Sequence, residues 1–216
     1  MFNATMMRGI QTYEYIKLNG WSSFFREAFY RKRKAVIFEK DLSEVKDQTE
    51  ALRHLKAEMI EIDAETVRSR KLSYRFKNRQ LKTVHYLEKG YRGFGIVNGK
   101  EVIGEMWYYG DAGNGNSKPH PDLDWLGIKL AGNEAYAFDW FVVPQERGNN
   151  LAGIFQKNAL YSLRRKGYTK AFAYVWADNT PALWSTRHLN KWTEVRTERM
   201  NRFLLTKMND KSRSLR

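Results

Sequence analysis

Val142-Val143-Pro144-Gln145-Glu146-Arg147-Gly148-Asn149-Asn150-Leu151-Ala152-Gly153 is the stretch that decides how this chain is read. Before it, Glu134-Ala135-Tyr136-Ala137-Phe138-Asp139-Trp140-Phe141 is rich in aromatic residues and predicts a strand over 134–143. After it, 151–166 reads as a helix ended by Gly167 as its cap. The turn between them, 144–150, is rich in Gly and Asn, residues that tolerate left-handed backbone, and its glycine lets an anion approach the main chain. The first helical turn adds unpaired N–H groups and a partial positive charge. Strand, loop and helix start together predict a pyrophosphate cradle that needs no side chain, with Arg147 able to add a salt link. No Gly-Lys-Ser/Thr follows, so this is not a Walker loop.

Downstream, 170–176 reads as a strand. A short helix follows, capped by Asp178 or Asn179 with Pro181 in its first turn. A terminal strand pair is expected around 192–196 and 202–208. Upstream, strands over 93–97 and 101–109 flank Asn98-Gly99, a strong hairpin signal. The stretch 110–133 reads as a long connection rich in Gly and Asn, of a length that is functional or disordered in compact domains. Its His120, Asp122 and Asp124 fit no familiar metal-ligand spacing, and Pro and Asp are ordinary turn formers. Further upstream come a strand over 35–40 and helical patterns over 45–60 and 64–78, with Leu52, Leu55, Met59 and Ile62 at helical spacing.

Residues 8–34 read as a basic amphipathic helix or helix pair, broken at Asn19-Gly20 and closed by Arg31-Lys32-Arg33-Lys34. Such a stretch packs on its domain or lies on an anionic membrane face. Its exposed rings leave a homodimer open. The expected organisation is an N-terminal helical extension over 1–34, one domain over 35–209 and a loose tail over 210–216.

The 216 residues contain no cysteine, which removes disulfides, a cysteine nucleophile and thiolate metal sites. No run approaches the roughly 18–20 apolar residues that span a bilayer, and the N-terminus does not read as a signal peptide. A cytoplasmic protein is expected, with peripheral contact to the inner membrane face through 8–34. The net charge of +14 predicts attraction to anions: a polyphosphate cofactor, an acidic substrate, a membrane surface or nucleic acid. RNA-recognition, KH and helix–turn–helix signatures are lacking, so no specific nucleic acid is expected.

Residues 138–192 resemble the central region of the GNAT (Gcn5-related N-acetyltransferase) superfamily. The loop of that family reads Gln/Arg-x-x-Gly-x-Gly/Ala; here it is Gln145-Glu146-Arg147-Gly148-Asn149-Asn150, with Asn in the last position. The Val-x-Pro strand end (Val142-Val143-Pro144), Leu151-Ala152, Gly167 and Asn179-Thr180-Pro181-Ala182 match as well. The resemblance implies an α/β (α+β) fold: a mixed, mostly antiparallel central sheet flanked by helices and splayed at the cofactor-binding strand. It implies acetyl-CoA or another acyl-CoA as donor, no metal, and transfer to an amine. The pantetheine arm would lie along Phe141, Val142 and Val143. The pyrophosphate would sit on Gln145, Glu146, Arg147, Gly148, Asn149, Asn150, Leu151 and Ala152, with Asn179 anchoring the arm.

The catalytic groups are more open. Amine attack needs a base. Strand parity puts Glu134, Tyr136, Phe138 and Trp140 on one face and Asp139 on the other. Glu134 is the candidate base, with Glu105 on the neighbouring strand as its rival. The tyrosine usual in the family falls at Thr186, and the usual Gly-Phe is replaced by Asn190-Lys191-Trp192. His188, Tyr136 or no residue serves as the acid. The reading is an N-acyltransferase acting on a small molecule, a sugar or glycan precursor, or a peptide, with an anionic acceptor suiting the basic surface. The alternatives are a non-catalytic acyl-CoA sensor and a basic nucleic-acid or membrane-surface binder.

Overall fold

The computed structural model describes residues 31–110, 117–147, 150–203 and 206–209, together with scattered positions between 9 and 22. The described positions of that N-terminal stretch, among them Thr12, Tyr13, Ile16 and Trp21, are helical. The other positions of 1–30, the centre of loop 110–133, Gly148, Asn149, residues 204–205 and the tail 210–216 lie outside the described residues.

One mixed sheet organises the chain. Its strands are β1 (Arg31–Asp41), β2 (Glu58–Ile62), β3 (Ser73–Tyr74), β4 (Arg92–Asn98), β5 (Glu101–Tyr109), β6 (Glu134–Val142), β7 (Lys170–Trp176), β8 (Thr193–Phe203) and β9 (Thr206–Asn209). They lie in the order β2-β4-β5-β6-β7-β1-β8-β9, with β3 beside β5. The β6–β7 and β3–β5 pairs are parallel and the others antiparallel. The helices are α1 (Thr49–His54), α2 (Ala64–Ser69), α3 (Lys77–Glu88), α4 (Asp122–Leu126), α5 (Leu151–Arg165) and α6 (Thr180–Trp184), the last continued by a π-helical turn (Ser185–Leu189). The expected mixed, mostly antiparallel sheet flanked by helices is the one found.

The two faces of the sheet carry different cores. On one, Phe155, Ala159, Leu160 and Leu163 of α5 pack against Ala135 and Ala137 of β6 and Ala171 and Ala173 of β7. These α5 residues recur at three- and four-residue steps, so one stripe of the helix is buried, and alanines beneath it let the helix lie close. On the other face, Tyr86 and Leu87 of α3 and Leu123, Trp125 and Leu126 of α4 cover Ile37, Trp107, Tyr136 and Phe138.

Four expectations change. Of the predicted helix 45–60, only Thr49–His54 is helical, because Lys56 turns left-handed at φ 54°. Residues 58–62 instead pair antiparallel with β4 and bury Ile60 and Ile62, a two-residue period that the helical spacing had masked. The predicted helix 64–78 stops at Ser69, with Lys71 at φ 52°, and a new helix, α3, starts at Lys77. The basic run 31–34 is the start of β1, paired with β8 from Arg31↔Arg202 to Lys34↔Arg199, so the domain's first strand begins inside the predicted extension. Connection 110–133 contains α4, whose Leu123 and Leu126, with Ile128, are buried.

Candidate functional site

The site arises where β6 and β7 part. Their ladder runs from Glu134↔Lys170 to Tyr136↔Phe172 and stops, while β6 stays paired with β5 to Val142. A cavity of about 620 Å³ fills the opening, lined by Ala137 to Val142 of β6 and by Ala173 to Trp176 of β7. Ala152, Phe155 and Gln156 of α5 close one side; Lys82, Tyr86, His120 and Asp122 close the other.

At the α5 end, Asn150 takes φ 58°, the left-handed conformation expected of it, and its carbonyl receives the Ile154 N–H at 3.0 Å. The N–H groups of residues 151–153 are therefore the first-turn donors of the helix, which have no partner within it. A Cβ on Gly153 would collide with the Asn150 side-chain oxygen, so glycine is what lets that side chain lie over the helix start. Arg147 lines the cavity and donates from Nε to the Val142 carbonyl at 3.0 Å. Asn179 also lines it, while its Oδ1 caps α6 by accepting from Ala182 N–H at 3.3 Å.

In the middle of the site, β6 bulges. Trp107↔Phe138 and Glu105↔Phe141 are pairs, so Asp139 and Trp140 oppose Met106 alone, and Asp139 takes φ 49°. The bulge reverses the strand's alternation: Tyr136 and Phe138 lie in the α3-side core, whereas Trp140 packs with the α5-side core. The expected sharing of one face by 134, 136, 138 and 140 thus fails at Trp140. Asp139 accepts from Arg79 Nη1 at 3.0 Å, Lys82 Nζ at 3.1 Å and Tyr86 Oη at 2.9 Å. Burial alone would raise its carboxyl, but Lys82 and Arg79 prevail and hold it well below the usual carboxylate range. Burial, followed by the charge of Asp139, pushes the Tyr86 phenol well up. Arg79 also pairs with Glu105, which is 1% exposed and accepts from Thr83 Oγ1 at 3.3 Å and Trp107 Nε1 at 3.4 Å. Burial raises the Glu105 carboxyl against the pull of Arg79.

The predicted catalytic residues are not brought together. Glu134 lies outside the cavity wall at the closed end of the split, where it accepts from Ala131 N–H at 2.8 Å. Glu105 is sealed against Arg79 and does not line the cavity. Tyr136 is fully buried behind the wall, its hydroxyl 3.5 Å from Asp122 Oδ2. His188 is exposed on the π-helical turn, its ring 5.9 Å from that of Trp184. Of the predicted cofactor residues, Phe141, Val142, Arg147, Ala152 and Asn179 line the cavity. Val143 and Leu151 are core residues behind it, and Gln145 and Glu146 turn to Arg75 at 3.5 and 3.3 Å. Thr186 is in the wall and buried; Lys191 takes φ 50° and Trp192 is buried where the resemblance expected Gly-Phe.

The sequence matches no family model and no curated protein. Among solved structures, the chain is similar to the GCN5-related glucosamine N-acetyltransferase region of a fungal multi-domain GH3 β-N-acetylglucosaminidase. The TM-score is 0.57 and the identity 19%, over 84% of this chain and 22% of that one. The chain has the GNAT fold. A Drosophila protein aligns with TM-score 0.51 and 11% identity over 88% of this chain and 58% of its own. A GCN5-related N-acetyltransferase from Sphaerobacter thermophilus gives 0.48 and 10% over 82% and 54%. The chain thus spans 22–58% of the length of these three proteins.

Within this GNAT fold the sequence reading missed Arg79, Lys82, Tyr86 and Asp139, and set His120 and Asp122 aside. The Asp in an aromatic strand, where β-propensity disfavours it, was the one available signal for the bulge. Among the described residues, no group of His, Asp and Glu could hold a metal ion, and no helix is long and apolar enough to cross a membrane.

Proposed function

We propose that this chain is an acyl-CoA-dependent N-acyltransferase, with acetyl-CoA as donor and a primary amine as acceptor. The observation that carries the reading is the parting of β6 and β7 beside the N-terminus of α5. The residues present fit coenzyme A. The first-turn N–H groups of α5 and Arg147 suit a diphosphate, and the edge of β6 from Ala137 to Val142, without a β7 partner, suits the amides of a pantetheine arm. Asn179, in the cavity wall, would add a contact from its side-chain amide nitrogen. The bound donor would supply the acyl group as a thioester.

The cavity reaches both sheet faces, so the reading has donor and amine present together and the amine attacking directly. A small molecule, a sugar or glycan precursor, or a peptide is the acceptor class, with anionic groups on it drawn by the net charge of +14. Calorimetric titration with coenzyme A, followed by thiol release from acetyl-CoA across a panel of amines, tests this. Saturable binding and amine-dependent release are expected; no heat on titration would remove the reading. Thr186 in the wall, where a tyrosine stands in the family resembled, favours one rival, a non-catalytic acyl-CoA binder. Tight binding with no release on any amine would select that rival.

A further inference from the structure

We propose that Gln156 and Thr186 form a subsite for the arm of the donor and hydrogen-bond its amide and hydroxyl groups. The ligand class is a phosphopantetheine thioester, whether a nucleotide or a protein carries it. This deepens the acyltransferase reading and rests on it.

Among the described residues, eight polar or charged ones are buried. Arg79, Thr83, Glu105, Asp122, Asn158 and Asn190 hydrogen-bond through their side chains. The other two, Gln156 at 9% exposure and Thr186 at 6%, make no side-chain hydrogen bond. Thr83 turns its hydroxyl back to the Arg79 carbonyl at 3.1 Å; Thr186 has no such bond. Buried polar groups are paired as a rule, so these two exceptions call for a partner from outside the chain. Both line the cavity. The indole nitrogens of Trp140 and Trp192 are sealed within its walls, whereas the polar atoms of Gln156 and Thr186 open on it.

Their positions follow from the elements that carry them. Gln156 stands four residues beyond Ala152 on α5, about 6 Å further from the helix start. α5 runs back along β6, so this turn lies toward the closed end of the split, where Ala137 and Ala173 line the wall. Thr186 stands four residues beyond Ala182, on the π-helical turn that continues α6, and both line the cavity. Its carbonyl accepts the Trp192 N–H at 3.1 Å, which fixes the main chain and leaves the hydroxyl to turn.

A glutamine amide and a hydroxyl each donate and accept, and neither is charged. Their neighbours in the wall, Phe155, Ala173, Val175 and Ala182, are uncharged too. Such a lining fits neutral donors and acceptors borne on an apolar chain. A pantetheine arm is that kind of chain, with amides and a hydroxyl between its phosphate and its sulfur. The free edge of β6 would take part of its hydrogen bonds, and Gln156 and Thr186 would take others.

Calorimetry on the full chain, with coenzyme A, phosphopantetheine and adenosine 3′,5′-bisphosphate as probes, tests this. Gln156→Leu and Thr186→Val should each lose about tenfold in affinity for the first two probes, the scale of one hydrogen bond. Neither should lose affinity for the bisphosphate, which has no arm. Thermal midpoints without ligand should be unchanged or raised, because neither group has a partner to lose; a packing role would lower them. Thr186→Ser keeps the hydroxyl and should restore the affinity that Thr186→Val loses. Parental coenzyme A affinity in both apolar variants would overturn the inference and leave the cofactor reading standing. An equal loss for the bisphosphate would overturn it too, as would a parent that binds the bisphosphate as tightly as coenzyme A. Tighter binding of coenzyme A than of phosphopantetheine assigns the nucleotide-borne donor and equal affinity the protein-borne one; either sustains the inference. A parent that binds no coenzyme A and no phosphopantetheine defeats the acyltransferase reading, and this inference with it.

Discussion

Asp139 holds a backbone angle, φ 49°, that costs a residue with a side chain about 1–2 kcal/mol. What offsets that strain is the set of three donors on its carboxylate, all from α3. Replacing it with alanine keeps the backbone angle, takes the carboxylate from Lys82 and leaves Arg79 with Glu105 alone. Losing one partner of such a buried ionic group costs about 3–5 kcal/mol, which urea unfolding of Asp139→Ala would read out. The pH dependence follows from the depressed carboxyl. Its folded-state pKa lies below the ordinary value of about 3.9, so its contribution is complete above that value and is lost as pH falls further. Asp139→Asn should therefore flatten the acid limb of the stability profile, measured as thermal midpoint against pH. An unchanged limb would show that the network contributes little.

Elements explain which features were legible from sequence. The hairpin 93–109, the strand at 134 and the helix at 151 carry local signals: an Asn-Gly turn, β-rich composition and a helical period closed by Gly167. Asn150 was readable because so few residues accept its angle. Residues 58–62 were not, since Met59 and Ile62 serve a three-residue step as well as a two-residue one until β4 is alongside. The bulge and its charge network were also out of reach. Arg79 meets Asp139 across 60 positions of sequence, and nothing local pairs them. Asp122 and His120 read as turn chemistry because only the fold brings β6 beneath them. At the start of α5, Gly153→Ala tests whether the helix entrance is set by close packing. Overpacking there costs about 1–3 kcal/mol, and coenzyme A affinity should fall about tenfold by calorimetry. Unchanged affinity would mean that Asn150 can move aside freely.

Across the whole molecule, the N-terminal strand β1 is central: it lies between β7 and β8, pairing Ala35 with Trp176 and Glu198. The sheet therefore closes only after distant parts of the chain meet. A topology so rich in non-local pairing should refold on the scale of milliseconds to seconds, which stopped-flow tryptophan fluorescence would measure. Microsecond refolding would contradict it. The same closure brings β6 and β7 to opposite walls of one cavity, with α5 aimed into it. If this split and helix start receive coenzyme A, amide NMR shifts on adding it will report the contact residue by residue. Saturable shifts concentrated at Asn150 to Gly153 and at Asp139 to Phe141 are expected. Shifts absent there, or confined to the surface lysines and arginines, would contradict it.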